Sequence, residues 1–100
     1  MTDYVLTPEA EQDLDAIRAW LMAQDGPRLV RHMFGRLQKG MALIGRKPAF
    51  GHPRKDLTDE PVRFWPVFSY LIVYDPEPSP VRIVRVVHAS RDVAALLKEP

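Results

Sequence analysis

The sequence predicts an α+β fold: an N-terminal strand, an antiparallel α-helical hairpin packed on a small antiparallel sheet, and a short last helix, in the order β-α-α-β-β-β-α. Three features carry that expectation. Residues 8–45 hold two apolar stripes at helical spacing, split by "DGP" at 25–27. Residues 62–88 hold β-branched and aromatic runs with turn residues between them. The chain has 100 residues, 46% of them hydrophobic and 27% charged, enough for one core and too few for two, so residues 1–100 are expected to form a single domain.

Each element has a local cause. "DYVL" at 3–6 is β-prone and runs into "TPEAEQDL", where Thr7 can cap a helix and Pro8 suits its first turn. Glu9, Glu11 and Asp13 favour the positive end of that helix dipole. Ala10, Leu14, Ile17 and Leu21 form a stripe that should face the core, and the helix is expected to end near Asp25. Pro27 opens a second helix, in which Val30, Met33, Phe34, Leu37, Met41 and Ile44 give spacings of 3, 1, 3, 4 and 3, with Gly45 as the expected C-terminal cap. "RKPAFGHPRKDLTDEP" reads as an ordered loop crossing from helices to sheet. "VRFWPV" and "YLIVYD" are separated by Phe68 and Ser69, and "VRIVRVVH" follows "PEPSP", the pattern of an antiparallel meander. Pro66 has no amide hydrogen, so its strand is expected at an edge or at a local irregularity. Ser90 is expected to cap the last helix, "RDVAALLK".

The formal net charge is +1, so any attraction for nucleic acid must be local. The charge is nonetheless polarised along the chain: residues 1–25 hold six acids and one arginine, while residues 26–56 hold eight Lys and Arg and one acid. There is no cysteine, which excludes a disulfide framework, a thiol nucleophile and a thiolate metal site. His32, His52 and His88 lack a metal-ligand spacing and no phosphate-cradling glycine loop is present, so neither a metal nor a cofactor is expected. No stretch approaches the roughly 18 to 20 apolar residues of a membrane span, and "MTDYVLTPEAEQ" lacks the pattern of a signal peptide. A cytoplasmic protein with no membrane partner is the expectation.

Strand alternation assigns Arg82, Val84, Val86 and His88 to one face and Val81, Ile83, Arg85 and Val87 to the other. On the preceding strand Tyr70, Ile72 and Tyr74 share one face, Leu71 and Val73 the other. One face of the sheet must pack on the helices, leaving the other to solvent or a partner. A metal-free ribonuclease needs a base for the 2′-hydroxyl, an acid for the leaving oxygen and cations on the phosphorane. His88, Tyr70 or Tyr74, and Arg63, Arg82, Arg85 and Arg91 could supply that inventory. The same residues have structural readings. His88 can satisfy backbone groups at a strand-to-helix junction, the arginines can cover apolar sheet with their heads in water, and the tyrosines can pack with exposed hydroxyls. Trp65 reads as a core residue, and "RKP" to "HPRK" as either a phosphate-binding patch or a solvated loop. His32 and His52 give no functional signal.

Four motifs in series, "LTPEAEQDLDAI", "ALIGRKPAFGHPRKDL", "VRFWPVFSYLIVY" and "VRIVRVVHASRD", resemble the ParE branch of the RelE/ParE superfamily of toxins from bacterial type II toxin-antitoxin modules. The resemblance covers nearly the whole chain. It implies the fold read above and a cytoplasmic toxin that binds DNA gyrase without a catalytic group and is neutralised by a cognate antitoxin. RelE-like members cleave mRNA on the ribosome and carry basic central strands and a late tyrosine. Here Ala89 follows His88, no tyrosine follows Tyr74, and Leu71 stands where RelE-like chains often have arginine. Phe68 and Ser69 stand where many ParE relatives have a glycine turn. The gyrase-binding branch is therefore expected, with a target surface on the exposed sheet and its C-terminal rim at Arg63, Phe68, Arg82, His88 and Arg91. An acidic or amphipathic antitoxin segment folding on binding suits the apolar hairpin groove and the basic loop, and is expected to meet Leu14, Ile17, Leu21, Met33 and Leu37, most of which must also build the chain's own core. The alternatives are an endoribonuclease using His88 with Arg63, Arg82, Arg85 or Arg91, and an inactive member that only binds its antitoxin. Sequence-specific DNA binding by the toxin alone is not expected.

Overall fold

Helix formation starts at the cap the sequence provides. In the computed structural model, which describes residues 3–98, the Thr7 side chain accepts a hydrogen bond from the Ala10 N–H at 3.1 Å and opens α1 (Pro8–Arg46). Two residues inside α1 are not helical: Asp25 (φ −150°, ψ 15°) and Gly26 (φ 72°, ψ −161°). Gly26 supplies a left-handed φ that a side chain would disfavour, and Pro27 restarts the helix with its φ preset. The chain reverses there. The Arg18 guanidinium carbon lies 4.2 Å from the Phe34 ring centroid, a pair that an unbroken helix would hold about 24 Å apart. The hairpin arms are residues 8–24 and 27–46. The second arm runs through Gly45, and Lys47 caps it by donating its N–H to the Leu43 carbonyl at 2.8 Å.

Four strands form one sheet in the order β1-β4-β3-β2: β1 (Tyr4–Leu6), β2 (Arg63–Val67), β3 (Tyr70–Asp75) and β4 (Val81–His88). The three later strands make the antiparallel meander, while β1 joins β4 in parallel, so the sheet is mixed. Pro66 lies on the edge strand, β2, where its missing N–H leaves no ladder bond unmade. On the same edge Phe64 exchanges both backbone hydrogen bonds with His52, at 3.0 and 2.8 Å, so β2 offers a neighbouring chain little to pair with.

The pairing of β3 with β4 slips by one residue. Val73 faces Arg85 and Tyr74 faces Ile83, leaving Val84 as the extra residue of a bulge. Side-chain parity therefore reverses in mid-strand, and simple alternation fails. Val81, Ile83 and Val86 join the core beneath the hairpin with Leu14, Ile17, Leu21, Leu37, Val67, Ile72 and Tyr74. Arg85 and Val87 point to the opposite face with Arg82 and Val84, and His88 stands on the hairpin side against Tyr70. The second face is not open either. Phe64, Leu71, Val73 and Val87 are buried there beneath α2 (Val93–Lys98) and Leu57 and Val62 of the preceding loop. Asp92, rather than Ser90, holds the start of α2, its Oδ1 accepting from the Ala95 N–H at 3.2 Å. Gly40 allows the second arm to press against the sheet, since a Cβ there would stand 2.9 Å from a Val67 methyl.

Beyond the end of β1, the edge of β4 is completed by side chains of the first arm. The Thr7 hydroxyl donates to the Val84 carbonyl at 3.0 Å, and Asp13 accepts from the Val86 N–H at 2.9 Å. Asp13 also receives a two-pronged bond from Arg85, at 2.8 and 3.1 Å, and Arg85 donates onward to the Leu96 carbonyl of α2 at 3.3 Å. One carboxylate thus joins hairpin, sheet and terminal helix. Asp13→Ala removes three hydrogen bonds and leaves the Arg85 charge and the Val86 N–H partly buried. Discounted for the partial exposure of the pair, the loss is about 2 kcal/mol, measurable by urea unfolding; Asp13→Asn should lose less.

Candidate functional site

A cleft of about 680 Å³ opens where the first arm, the end of β4 and α2 meet, lined by Ile17, Trp20, Tyr70, Arg85, His88 and Arg91 among others. Each side chain arrives by a local cause. Trp20 projects from the flank of the arm, off the buried stripe of residues 10, 14, 17 and 21, and is 57% exposed. Tyr70 begins β3 directly opposite His88, and their rings meet edge to face at 5.2 Å. His88 ends β4, and its Nδ1 accepts from the Ser90 N–H at 3.1 Å, with the Ser90 hydroxyl 2.6 Å away. The neutral ring therefore carries its proton on Nε2. Burial raises the Tyr70 phenol above its ordinary pKa.

The residues singled out in the sequence do not form one surface. Arg63 pairs with Tyr74 and Val67 with Tyr70, so Arg63 lies about 13 Å along the strands from the level of Phe68 and His88. Arg63 also serves the fold, since its Nη1 donates to the Gly51 carbonyl at 2.6 Å. Tyr74, fully buried, grips the same loop, donating to the Pro48 carbonyl at 2.6 Å and accepting from the Gly51 N–H at 2.9 Å. Arg82 stands at the far end with Asp75, 3.7 Å away and largely in water. Arg85 is held by Asp13. His88 and Arg91 both line the cleft, and the Ala89 N–H bonds the Ser69 carbonyl of the neighbouring turn at 2.7 Å, whereas Phe68 of that turn lays its ring against Arg36 and His32 of the second arm. Of the residues expected to meet an antitoxin, Leu14, Ile17, Leu21 and Leu37 are no more than 9% exposed and build the chain's own core; Met33 is half-buried. Trp20 was missed in the sequence; the available signal was a large aromatic off the apolar stripe, and its place in a cleft needed the tertiary structure. No group of three or more His, Asp or Glu side chains converges as a metal site among the described residues.

A sequence model of the family described as ParE toxin of type II toxin-antitoxin system, parDE, matches residues 4–93. The chain belongs to this ParE toxin family. Its fold agrees: a chain of the solved structure "Chromosomal ParDE TA system from P. aeruginosa" superposes with a TM-score of 0.73, covering 90% of this chain and 98% of that chain. At 18% identity that likeness concerns the ParE fold alone. No curated protein matches significantly in sequence. Among the described residues, no helix is long and apolar enough to cross a membrane.

Two buried tyrosines, Tyr70 at the cleft and Tyr74 beneath the 48–51 loop, give the fold a pH signature. Burial is the main cause that raises Tyr70 and Tyr74 above the ordinary 10.0. A folded-state pKa above the unfolded one adds stability that is complete below about pH 10 and is lost as pH rises through the folded values. Stability should fall above pH 10 in step with phenolate absorbance. Tyr74→Phe leaves the Gly51 N–H and Pro48 carbonyl without their partner and should cost about 1 to 3 kcal/mol at neutral pH, read from denaturant midpoints.

Proposed function

We propose that the chain is a toxin that inhibits DNA gyrase by direct binding, and that a cognate antitoxin neutralises it in the cytoplasm. Membership of the ParE family supports the toxin role. The observation that carries the choice of binding over catalysis is the engagement of the strand arginines. Arg85, at the cleft, is bound at two points by Asp13, and Arg63 is bound to Gly51 at the other end of the sheet. A phosphorane beside His88 would need cations gathered there, and of the four candidate arginines Arg91 is the exposed one at that end. Shape and charge complementarity need no such gathering. The target-facing surface in this reading is the cleft, with Trp20, His88 and Arg91, together with Phe68 on the neighbouring β2–β3 turn; an exposed Trp and an arginine are residue types that dominate interface energies, and the exposed Phe adds apolar area. The antitoxin segment lies across the same end, using Trp20 and the accessible edge of Met33 in place of the core leucines.

Two assays with the purified protein test the reading. Gyrase supercoiling should be lost while mRNA in a translating ribosome mixture stays intact. Codon-positioned cuts in the mRNA would instead establish the nuclease, and no effect in either assay would establish an inactive member. Arg91→Glu should weaken gyrase inhibition at least about tenfold with an unchanged melting temperature, as expected of an interface arginine. His88→Ala should fall well short of the roughly hundredfold loss that removal of a general acid or base produces.

A further inference from the structure

The outer face of the second hairpin arm is largely open among the described residues, Phe68 touching it at one edge. At 100° per residue, Arg28, His32, Gly35, Lys39 and Arg46 fall within about 60° of arc, flanked by Arg31 and Arg36. The buried residues of the same arm, Val30, Leu37, Met41 and Ile44, lie diametrically opposite. All the basic residues of the stripe are exposed. Among the described residues, none of them has a carboxylate within ion-pair distance, the ion pairs being Arg54–Asp56, Arg82–Asp75 and Arg85–Asp13. The stripe extends about 27 Å from Arg28 to Arg46, and no acid occurs between residues 26 and 55.

Two local features on this face are unfavourable in the isolated chain. Gly35 sits in the exposed middle of the arm, where a Cβ would meet nothing within 4 Å. Packing does not require glycine there, although Ala would favour the helix by about 1 kcal/mol. Phe68 holds a φ of 53° at the β2–β3 turn, a conformation that glycine adopts freely and a bulky side chain resists. Its ring, 55% exposed, lies 5.2 Å from the Arg36 guanidinium and 5.7 Å from the His32 ring. The strained turn thus fixes two members of the basic stripe.

We propose that the outer face of the second arm binds the phosphate backbone of duplex DNA without regard to base sequence. The cations recur at about one per helical turn from Arg28 to Lys39, with Arg46 about two turns further on, which suits a row of phosphates; four of the five permanently charged ones are arginines, whose planar forks match phosphate oxygens. Gly35 leaves an opening through which a sugar-phosphate strand can approach the helix backbone. The stripe spans about eight base pairs at 3.4 Å each. An acidic protein would answer the charge, but the stripe itself carries no apolar side chain of the kind protein interfaces bury at their centre, and the exposed ring nearest to it, Phe68, lies at its edge against Arg36 and His32.

The test is fluorescence anisotropy of the full chain with labelled 20-base-pair duplexes of two unrelated sequences between 50 and 200 mM salt. The two should bind equally, with log K falling on log salt at a slope near −4, corresponding to about four phosphates. Arg31→Glu with Arg36→Glu should lower that slope by about 2 and leave the fold intact by circular dichroism, whereas Arg54→Glu in the loop should change neither. Gly35→Leu provides the opposite-sign reading: a higher melting temperature together with DNA binding weakened at least fivefold. The proposal is overturned if neither duplex binds at 50 mM salt, if the double variant binds like the parent, or if polyglutamate of equal charge displaces the DNA as well as unlabelled duplex does. Gyrase is not in the assay, so its outcome is independent of the target proposed above.

Discussion

One extra residue in β4, Val84, fixes how the sheet presents its side chains. Without the bulge, Ile83 and Arg85 would share a face and a guanidinium would be driven under the hairpin. With it, Val81, Ile83 and Val86 all reach the hairpin core, while Arg85 and Val87 turn to the opposite face. The bulge falls just where β1 ends and β4 loses its neighbour, so its free carbonyl and the next free amide need partners. Thr7 and Asp13 supply them from the first turns of α1. The cap of the helix and the irregularity of the strand are one hydrogen-bonded structure, and Arg85 extends it to α2.

That arrangement separates the chain's positive charge by role. Arg63 and Arg85 are held by backbone and carboxylate groups and act as struts. Arg91 and the row from Arg28 to Arg46 keep their heads in water and remain available to partners. The acids of the first arm and the basic second arm are brought side by side by the turn at Gly26, yet among the described residues the ion pair that the first arm makes is with β4, through Asp13. The hairpin therefore carries a charge asymmetry across its width that a net charge of +1 conceals.

The cleft end and the basic stripe meet at the turn containing Phe68. A glycine there would relieve the backbone but would leave Arg36 and His32 without the ring they lie against. Local strain held by a well-paired hairpin is the pattern found where a surface has work beyond folding, and the antiparallel pairing of β2 with β3 runs in register up to this turn.

Whatever depends on neighbours within a few residues was legible in the amino-acid order. Thr7 and Pro8 begin the first arm, Gly26 and Pro27 break it, two apolar stripes assign the buried faces, and Pro66 marks an edge strand, all through local backbone geometry and side-chain spacing. The motifs in series also carried the family. The parallel pairing of β1, the slip at Val84 and the engagement of particular arginines came only with the folded chain. Asp13 and Arg85 are 72 residues apart, and Arg63 meets Gly51 through a loop whose path no periodicity encodes. Alternation is a rule for an unbroken ladder, and one bulge inverts it for every residue beyond. The share of the apolar hairpin residues left for a partner was undecided for a related reason: a stripe specifies that a face is buried but not by what, and here this chain's own sheet covers it.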